Sequence, residues 1–459
     1  MTVLGGGPAG SAAAKLLSEW GHSVRLVTRP GTDSRLAVSI PPSCHKLFDA
    51  IGVGDAVNRA GMVRATGNTV WWGRPEPRVE TFADGAVGWQ VAAHVLEELM
   101  LNEAVTAGVS IERRLITKAD LEPNPGGFLI DASGRSGLFA RANGLRIYDE
   151  GPRTVALGAS WTRLDPWPVP DDSHTLIESY QSGWAWSVPT SSHARHIAVM
   201  VDPRRSGLAR DAAARDVYLA EIAKTTTFRA LVEEATCAEG PWGWDASSYR
   251  ADRYAGDGWL LAGDAGSFID PLSSAGVKKA LASGWLAAVA VHTSLVRPAM
   301  RPQALAFFSQ REQEIEHHYS RMSRLFLAEA APTHPHAFWR DRSELPTVEA
   351  GVDPAMVGAA FERLRAATRI QFSPGEARLE PRPGVRGHEI VLEPTIITEG
   401  ESIRFVSGID VVALIHLGPR YAQVPDLFEA YCRTHGEVPL PAFLFVLAMA
   451  VARRWLVAQ

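Results

Sequence analysis

Apolar residues along the first third of the chain come in short continuous runs separated by helical patterns. Thr2-Val3-Leu4 is followed by an apolar helical stretch through Ala12, Ala13, Leu16 and Leu17, and then by the run at 23–27. A helix pattern covers 43–51, and another passes through Val95, Leu96, Leu99 and Met100. Further runs stand at 128–131 and 259–262, the second leading into a helix through Lys278, Leu281 and Trp285. Runs of this length bounded by glycine suit buried strands, and their alternation with helices predicts a doubly layered α/β unit. From about residue 147 the pattern changes to period two, at 155–161, 173–180, 185–188 and 196–201, which predicts an antiparallel sheet. Helical patterns follow at 211–235 and 302–329, and the Pro- and His-rich stretch 333–346 reads as a linker. Beyond it, short strands are expected at 391–392 and 403–405 and helices at 411–417, 427–434 and 442–456. The expected domains are 1–146 with 243–330, an inserted sheet domain at 147–242, and a C-terminal unit at 347–459. No internal repeat is visible.

The first strand runs into Gly5-Gly6-Gly7-Pro8-Ala9-Gly10, with helix and second strand behind it. This is the dinucleotide fingerprint in its strand–turn–helix–strand setting and predicts a Rossmann-like domain. Gly5 permits the tight turn, Gly7 admits a pyrophosphate against the backbone, and Gly10 lets helix pack on strand, with Pro8 and Ala9 completing the turn. An acidic residue usually ends the second strand and grips the ribose; Thr28 and Arg29 stand there instead, leaving one hydroxyl for that contact.

The stretch 260–277, LLAGDAGSFIDPLSSAGV, ends a strand at Gly263-Asp264, crosses a loop of small residues and opens a helix. It sets a carboxylate at a strand end and free N–H groups at a helix start, suited to a hydroxyl chain and an electron-rich oxygen. A helix capped by Ser274 behind a plain Asp-Gly turn is the structural alternative. The stretch resembles the GDA…P…G motif of the p-hydroxybenzoate hydroxylase superfamily of FAD-dependent monooxygenases, in the branch holding flavin-dependent halogenases and geranylgeranyl reductases. The resemblance implies FAD, with Asp264 on the ribityl chain, Pro271 facing the isoalloxazine, and the N–H groups of Gly276 and Val277 on its N1–C2=O edge. It also assigns Gln90, in Gly88-Trp89-Gln90-Val91, to the flavin, and Asp131, in the Asp131-Ala132-Ser133-Gly134-Arg135 turn, to the diphosphate region. Arg35 is the candidate for the pyrophosphate, with a solvated loop arginine as the alternative. Ala92-Ala93 replace an arginine that family members often carry after the glutamine.

With 459 residues, the chain is long enough for two or three cores. A net charge of −5 gives no reason to expect nucleic acid or an anionic membrane. Cys44, Cys237 and Cys432 lie far apart without metal-ligand spacing and read as reduced thiols of a cytoplasmic protein. No metal is expected. No signal peptide is expected, because the first residues already form the nucleotide-binding strand, and the apolar run 443–451 is too short for a span. The use of 14 Trp against 8 Tyr suits a site for flat rings, although buried Trp is also common core material. The C-terminal unit is similar to winged-helix or peptide-contacting modules; without a basic face it suits a protein or peptide contact, or a structural cap.

Gly183-Trp184-Ala185-Trp186-Ser187-Val188-Pro189 resembles the WxWxIP run of flavin-dependent halogenases. Two halogenase residues are missing: no lysine occurs between Lys46 and Lys118, and Ser273 stands in place of the motif glutamate. Without an amine to capture hypohalous acid, halogenation ranks below hydroxylation, which uses O2 through a flavin C4a-hydroperoxide. Trp71, Trp72, Trp184 and Trp186 are candidates to line a ring slot, with core packing as the other reading, and His94 and Glu178 are candidate proton acceptors. Within the branch the chain resembles the flavoprotein monooxygenases of tryptophylquinone biogenesis, such as the one serving quinohemoprotein amine dehydrogenase. That implies a tryptophan of a peptide or protein as substrate, with NAD(P)H or a separate flavin reductase as electron donor. A tryptophan halogenase, a geranylgeranyl-reductase-like enzyme and a non-catalytic FAD-containing escort protein are the alternatives.

Overall fold

The computed structural model describes residues 1–31, 35–123, 126–149, 151–210, 212–343, 354–366, 369–398 and 401–459. It divides into two compact units, Met1–Pro346 and Thr347–Gln459.

The first unit is built on a six-stranded sheet in the order Ala255–Gly256, Trp259–Leu261, Leu129–Asp131, Thr2–Leu4, Arg25–Thr28, Ser110–Arg113. All neighbours are parallel except the first pair. Each central strand is three or four residues long with a buried apolar middle, as both-face burial requires. The fingerprint helix Pro8–Glu19 and the helix Gly276–Val296 cross in direct backbone contact. A Cβ on Gly284 would meet the Ala9 carbonyl oxygen at 2.3 Å, so glycine sets that approach. By length and composition Gly276–Val296 could cross a membrane, but 67% of its apolar window is buried inside the unit, where it serves as the core helix.

The second sheet has seven strands, in the order Thr236–Asp245, Val155–Thr162, Ala194–Val201, Gly183–Pro189, Thr175–Tyr180, Gly67–Trp71, Arg78–Thr81. Its strands differ from expectation at both edges. Gly67–Trp71 and Arg78–Thr81, from the amino-terminal stretch, extend it, the former pairing parallel to Thr175–Tyr180. At the other edge, Trp242-Gly243-Trp244 lies within an edge strand of this sheet rather than in the returning flavin segment. Hydrophobic period cannot say which sheet a strand joins, because pairing partners are set by distant chain. One face of this sheet packs on the helices Ala214–Ile222 and Thr227–Glu233, around Leu157, Leu176, Val199 and Phe228. The other holds Trp184, Met200 and Ala156 with Trp72, Leu327 and Trp339. The expected linker 333–346 carries the short helix Ala337–Arg340, whose Phe338 and Trp339 are buried in that second cluster and so anchor the segment to the core.

In the second unit the helix Pro354–Ala366 precedes a long hairpin, Arg378–Arg386 with Glu389–Thr398, and a short strand Glu401–Ile403. The helices Val411–Leu417, Val424–His435 and Leu440–Ala452 close a core of Ile396, Leu414, Leu427, Phe443 and Leu447. The hairpin exceeds the short strands expected because Pro381, Pro383 and Gly384 interrupt its sequence pattern; two strand prolines are compatible with its edge position.

Candidate active site

The fingerprint turn is held by features only its residues allow. Gly5 sits at φ +101°, and a Cβ there would meet the Ala132 carbonyl oxygen at 2.3 Å; one on Gly10 would meet the Gly5 carbonyl oxygen at 2.0 Å. Around Gly7, by contrast, an added Cβ meets nothing within 4 Å, and the same is true at Gly276. Those two positions open onto space at the N-termini of Pro8–Glu19 and Gly276–Val296, neither of which has a side-chain cap. Uncapped helix N-termini facing open space suit a phosphate and a partly negative ring oxygen. Asp264 sits at the end of Trp259–Leu261, partly exposed, with Lys279 Nζ 3.6 Å from its Oδ1.

Gln90 ties this region to the seven-stranded sheet. It is fully buried; its Nε2 donates to Thr175 Oγ1 at 2.8 Å, while its Oε1 lacks a hydrogen-bond partner among the described residues. Thr175, Ile177 and Ser179 share one face of their strand, and register carries that face across to Trp186 and Trp184. From Trp186 it continues to Ala198, Gly158 and Trp242, and from Val188 to His196 and Ser160. His196 lies between Trp186 and Trp244, with ring centroids 5.8 and 6.2 Å away. Its Nε2 and the Trp186 Nε1 are both buried without a partner among the described residues. Burial holds the His196 imidazole down at about 4, so the ring is neutral at physiological pH. Arg35 reaches this corner of the sheet, its guanidinium 5.1 Å from the Trp242 ring centre.

A family model described as an FAD binding domain matches residues 1–120. The tryptophan 2-halogenase of Chondromyces crocatus is 27% identical over 339 residues, covering 67% of this chain and 64% of that relative. The chain therefore spans a little under two thirds of that relative's length. Among solved structures, CmlS, a flavin-dependent halogenase, matches with a TM-score of 0.79 at 21% identity, over 100% of this chain and 95% of its own. QhpG, a peptidyl tryptophan dihydroxylase essential for tryptophylquinone cofactor biogenesis, matches at 0.66 and 20% identity, over 98% of each chain. These likenesses support the expected resemblance to p-hydroxybenzoate hydroxylase-like FAD proteins: residues 1–120 match an FAD binding domain, and the chain shares the fold of CmlS and QhpG.

FAD fits the residues present. Open helix starts at Gly7 and Gly276, a carboxylate at Asp264 and an unsatisfied amide oxygen on Gln90 are groups such a cofactor engages. Val277 and Pro271 flank that second helix start, partly exposed. Other residues assigned from sequence sit differently in this flavoprotein. The Asp131 carboxylate is fully buried and consumed: Oδ1 accepts from the Ser133 N–H and hydroxyl, and Oδ2 from the Phe139 and Ala140 N–H groups. It anchors the helix Leu138–Ala142 and is not free for a diphosphate. Thr28 Oγ1 accepts the Gly6 N–H at 3.2 Å, which fixes the turn, and Arg29 is exposed.

The proposed proton acceptors are also corrected. Both Glu178 oxygens are taken by the N–H groups of Thr226, Thr227 and Phe228, so this carboxylate caps Thr227–Glu233 on the face opposite Trp184 and Trp186. His94 is exposed in the first turn of Ala93–Thr106. Trp72 and Trp184 are packed core rings 6.4 Å apart, and the Trp72 Nε1 donates to the Phe326 carbonyl. Trp71 packs towards the opposite cluster. Only Trp186, of the candidate rings, stands half-buried beside unsatisfied polar atoms. Thr175, His196, Trp242, Trp244 and Lys279 escaped the sequence reading. Period-two counting outward from Trp186 could have found His196; nothing local in Lys278-Lys279 distinguishes the buried lysine from the half-buried one.

Proposed function

We propose that this protein is an FAD-dependent monooxygenase that hydroxylates an indole ring, carried by a tryptophan of a peptide or protein. The observation that carries the reading is the chemistry of the inner sheet face. It offers aromatic surface and neutral hydrogen-bonding groups, and no strand of the seven-stranded sheet contains a lysine. An enzyme that relays hypohalous acid through an amine needs that amine beside the ring; oxygen insertion does not. Bound FAD would supply the activation of O2, with electrons from NAD(P)H or a separate reductase. The chain would supply position: the half-buried Trp186 offers a ring face to an indole, and the neutral His196 Nε2 beside it accepts its N–H. Orientation of this kind is where much of the rate enhancement arises when the cofactor performs the bond-making. Indole as the ring is supported by the names of two relatives, the tryptophan 2-halogenase and the peptidyl tryptophan dihydroxylase.

Halogenation of the same ring is the second reading, favoured by the halogenase names among the relatives. Incubating FAD-loaded protein, a reductase, a tryptophan-containing peptide and bromide under isotopically labelled O2 separates the two by mass. Labelled oxygen in the peptide supports the monooxygenase; a brominated peptide without labelled oxygen overturns it.

A further inference from the structure

Lys279 lies in the second turn of Gly276–Val296, and its side chain is completely enclosed. A buried ammonium is costly unless its donors are matched. Here Nζ donates to the Gly263 carbonyl at 3.0 Å and to the Ser267 carbonyl at 2.5 Å, with Asp264 Oδ1 3.6 Å away. Both carbonyls belong to the loop that presents Asp264, and Gly263, at φ +62°, turns that loop inward. Behind them, on the long helix Arg301–Ala330, Glu312 is fully buried with neither oxygen in a hydrogen bond among the described residues. The groups facing it are Lys279, Asp264 and Ser283 around the loop, with Tyr254 and Glu316 beyond. The Ser283 hydroxyl accepts the Gly263 N–H at 2.7 Å, which leaves its own hydrogen free to turn towards Glu312.

We infer that Lys279 and Glu312 form a buried charge relay behind Asp264 that sets the reduction potential of the flavin and adds to its pH dependence beyond the proton taken up on reduction. This rests on the reading that the loop holds FAD. Reducing a bound flavin by two electrons with uptake of one proton leaves one extra negative charge on the cofactor. A fixed ammonium behind the loop favours that charge, and an ionised Glu312 opposes it. Burial pushes the Glu312 carboxyl up to about 7, against the pull of Lys279, so its charge changes across the physiological range. Below that pH Lys279 acts uncompensated and the potential rises; above it the carboxylate offsets the lysine and the potential falls.

The test is the midpoint potential of FAD-loaded protein against reference dyes, from pH 6 to 8. Lys279→Gln keeps donors for the two carbonyls and removes the charge; FAD should bind while becoming at least tenfold harder to reduce, about 30 mV for a two-electron couple. Glu312→Gln should be easier to reduce than wild type at pH 8 and indistinguishable from it at pH 6. A purely structural role would change melting temperature or FAD affinity and leave both potentials in place. Variants that hold FAD at the wild-type potential throughout the range overturn the inference. Should Lys279→Gln fail to fold, Glu312→Gln decides alone. Wild-type protein that stays colourless after reconstitution instead overturns the FAD reading beneath it.

Discussion

The two faces of the seven-stranded sheet bury comparable numbers of aromatic rings and treat polar groups in opposite ways. On the outer face the charged groups are spoken for. Glu178 caps a helix with both oxygens, and Arg195, fully buried, donates to Ser187 Oγ and to the carbonyls of Asp172 and His174. Even Trp161 and Tyr218 pass their hydrogens along, indole to phenol at 2.8 Å and phenol to the Ile197 carbonyl at 3.1 Å. The inner face carries no charged group on the strands flanking Trp186, yet Gln90 Oε1, Trp186 Nε1 and His196 Nε2 there and at its border lack a partner among the described residues. A lone unpaired polar atom means little, since the outer-face cluster also leaves Trp167 Nε1 and the Tyr180 hydroxyl without a partner among the described residues. A donor and two potential acceptors on one face and its border mean more: unsatisfied buried polar atoms are costly, and a group of them suits a ligand that completes the bonding. The outer face satisfies its charges within the core, whereas the inner face groups a donor and two acceptors that a ligand would complete.

Substitutions on each face should therefore report in different measurements. The largest expected effect is Glu178→Ala, which strips three N–H groups of their acceptor and should cost about 3 kcal/mol by denaturant unfolding, with turnover per folded molecule unchanged. Loss of turnover without loss of stability would place Glu178 in the chemistry after all. Next is His196→Phe, which fills the same space without the acceptor; turnover on an indole substrate should fall about thirtyfold, equivalent to about 2 kcal/mol. The same variant has a pH signature. Because burial depresses the His196 imidazole from 6.5 to about 4, the unfolded chain binds more protons between those values. Wild-type stability should thus fall as pH drops through that window, and His196→Phe should lose that contribution. Gln90→Leu comes third, with FAD affinity weakened about tenfold in a fluorescence titration, one amide contact's worth. The smallest is His94→Ala, which should alter neither stability nor turnover by more than about 0.5 kcal/mol, as expected for an exposed side chain away from special features.

How legible this was from sequence depended on whether the signal was local. The glycine turn could be read because each glycine answers a contact within a few residues or one strand away, as Gly10 does against the Gly5 carbonyl. The Asp264 loop could be read for the same reason. Glu178 could not: its partners, Thr226, Thr227 and Phe228, lie some fifty residues on, and only the pleat shows that it points away from Trp184. Trp72, Trp184 and Trp186 look alike as letters; the first two are sealed by Trp339 and Phe326, from a stretch whose composition reads as linker and from the long helix. Lys279 carries no local mark, since its burial is decided by the loop folding back over it.

The most direct measurement is a crystal structure of the FAD-loaded protein with a tryptophan-containing peptide. The account predicts the cofactor stretched from Gly7 to Gly276 with Gln90 against it, and the peptide's indole against Trp186 with its N–H on His196. An indole bound on any other surface, or a flavin ring remote from Gln90 and Pro271, would contradict it.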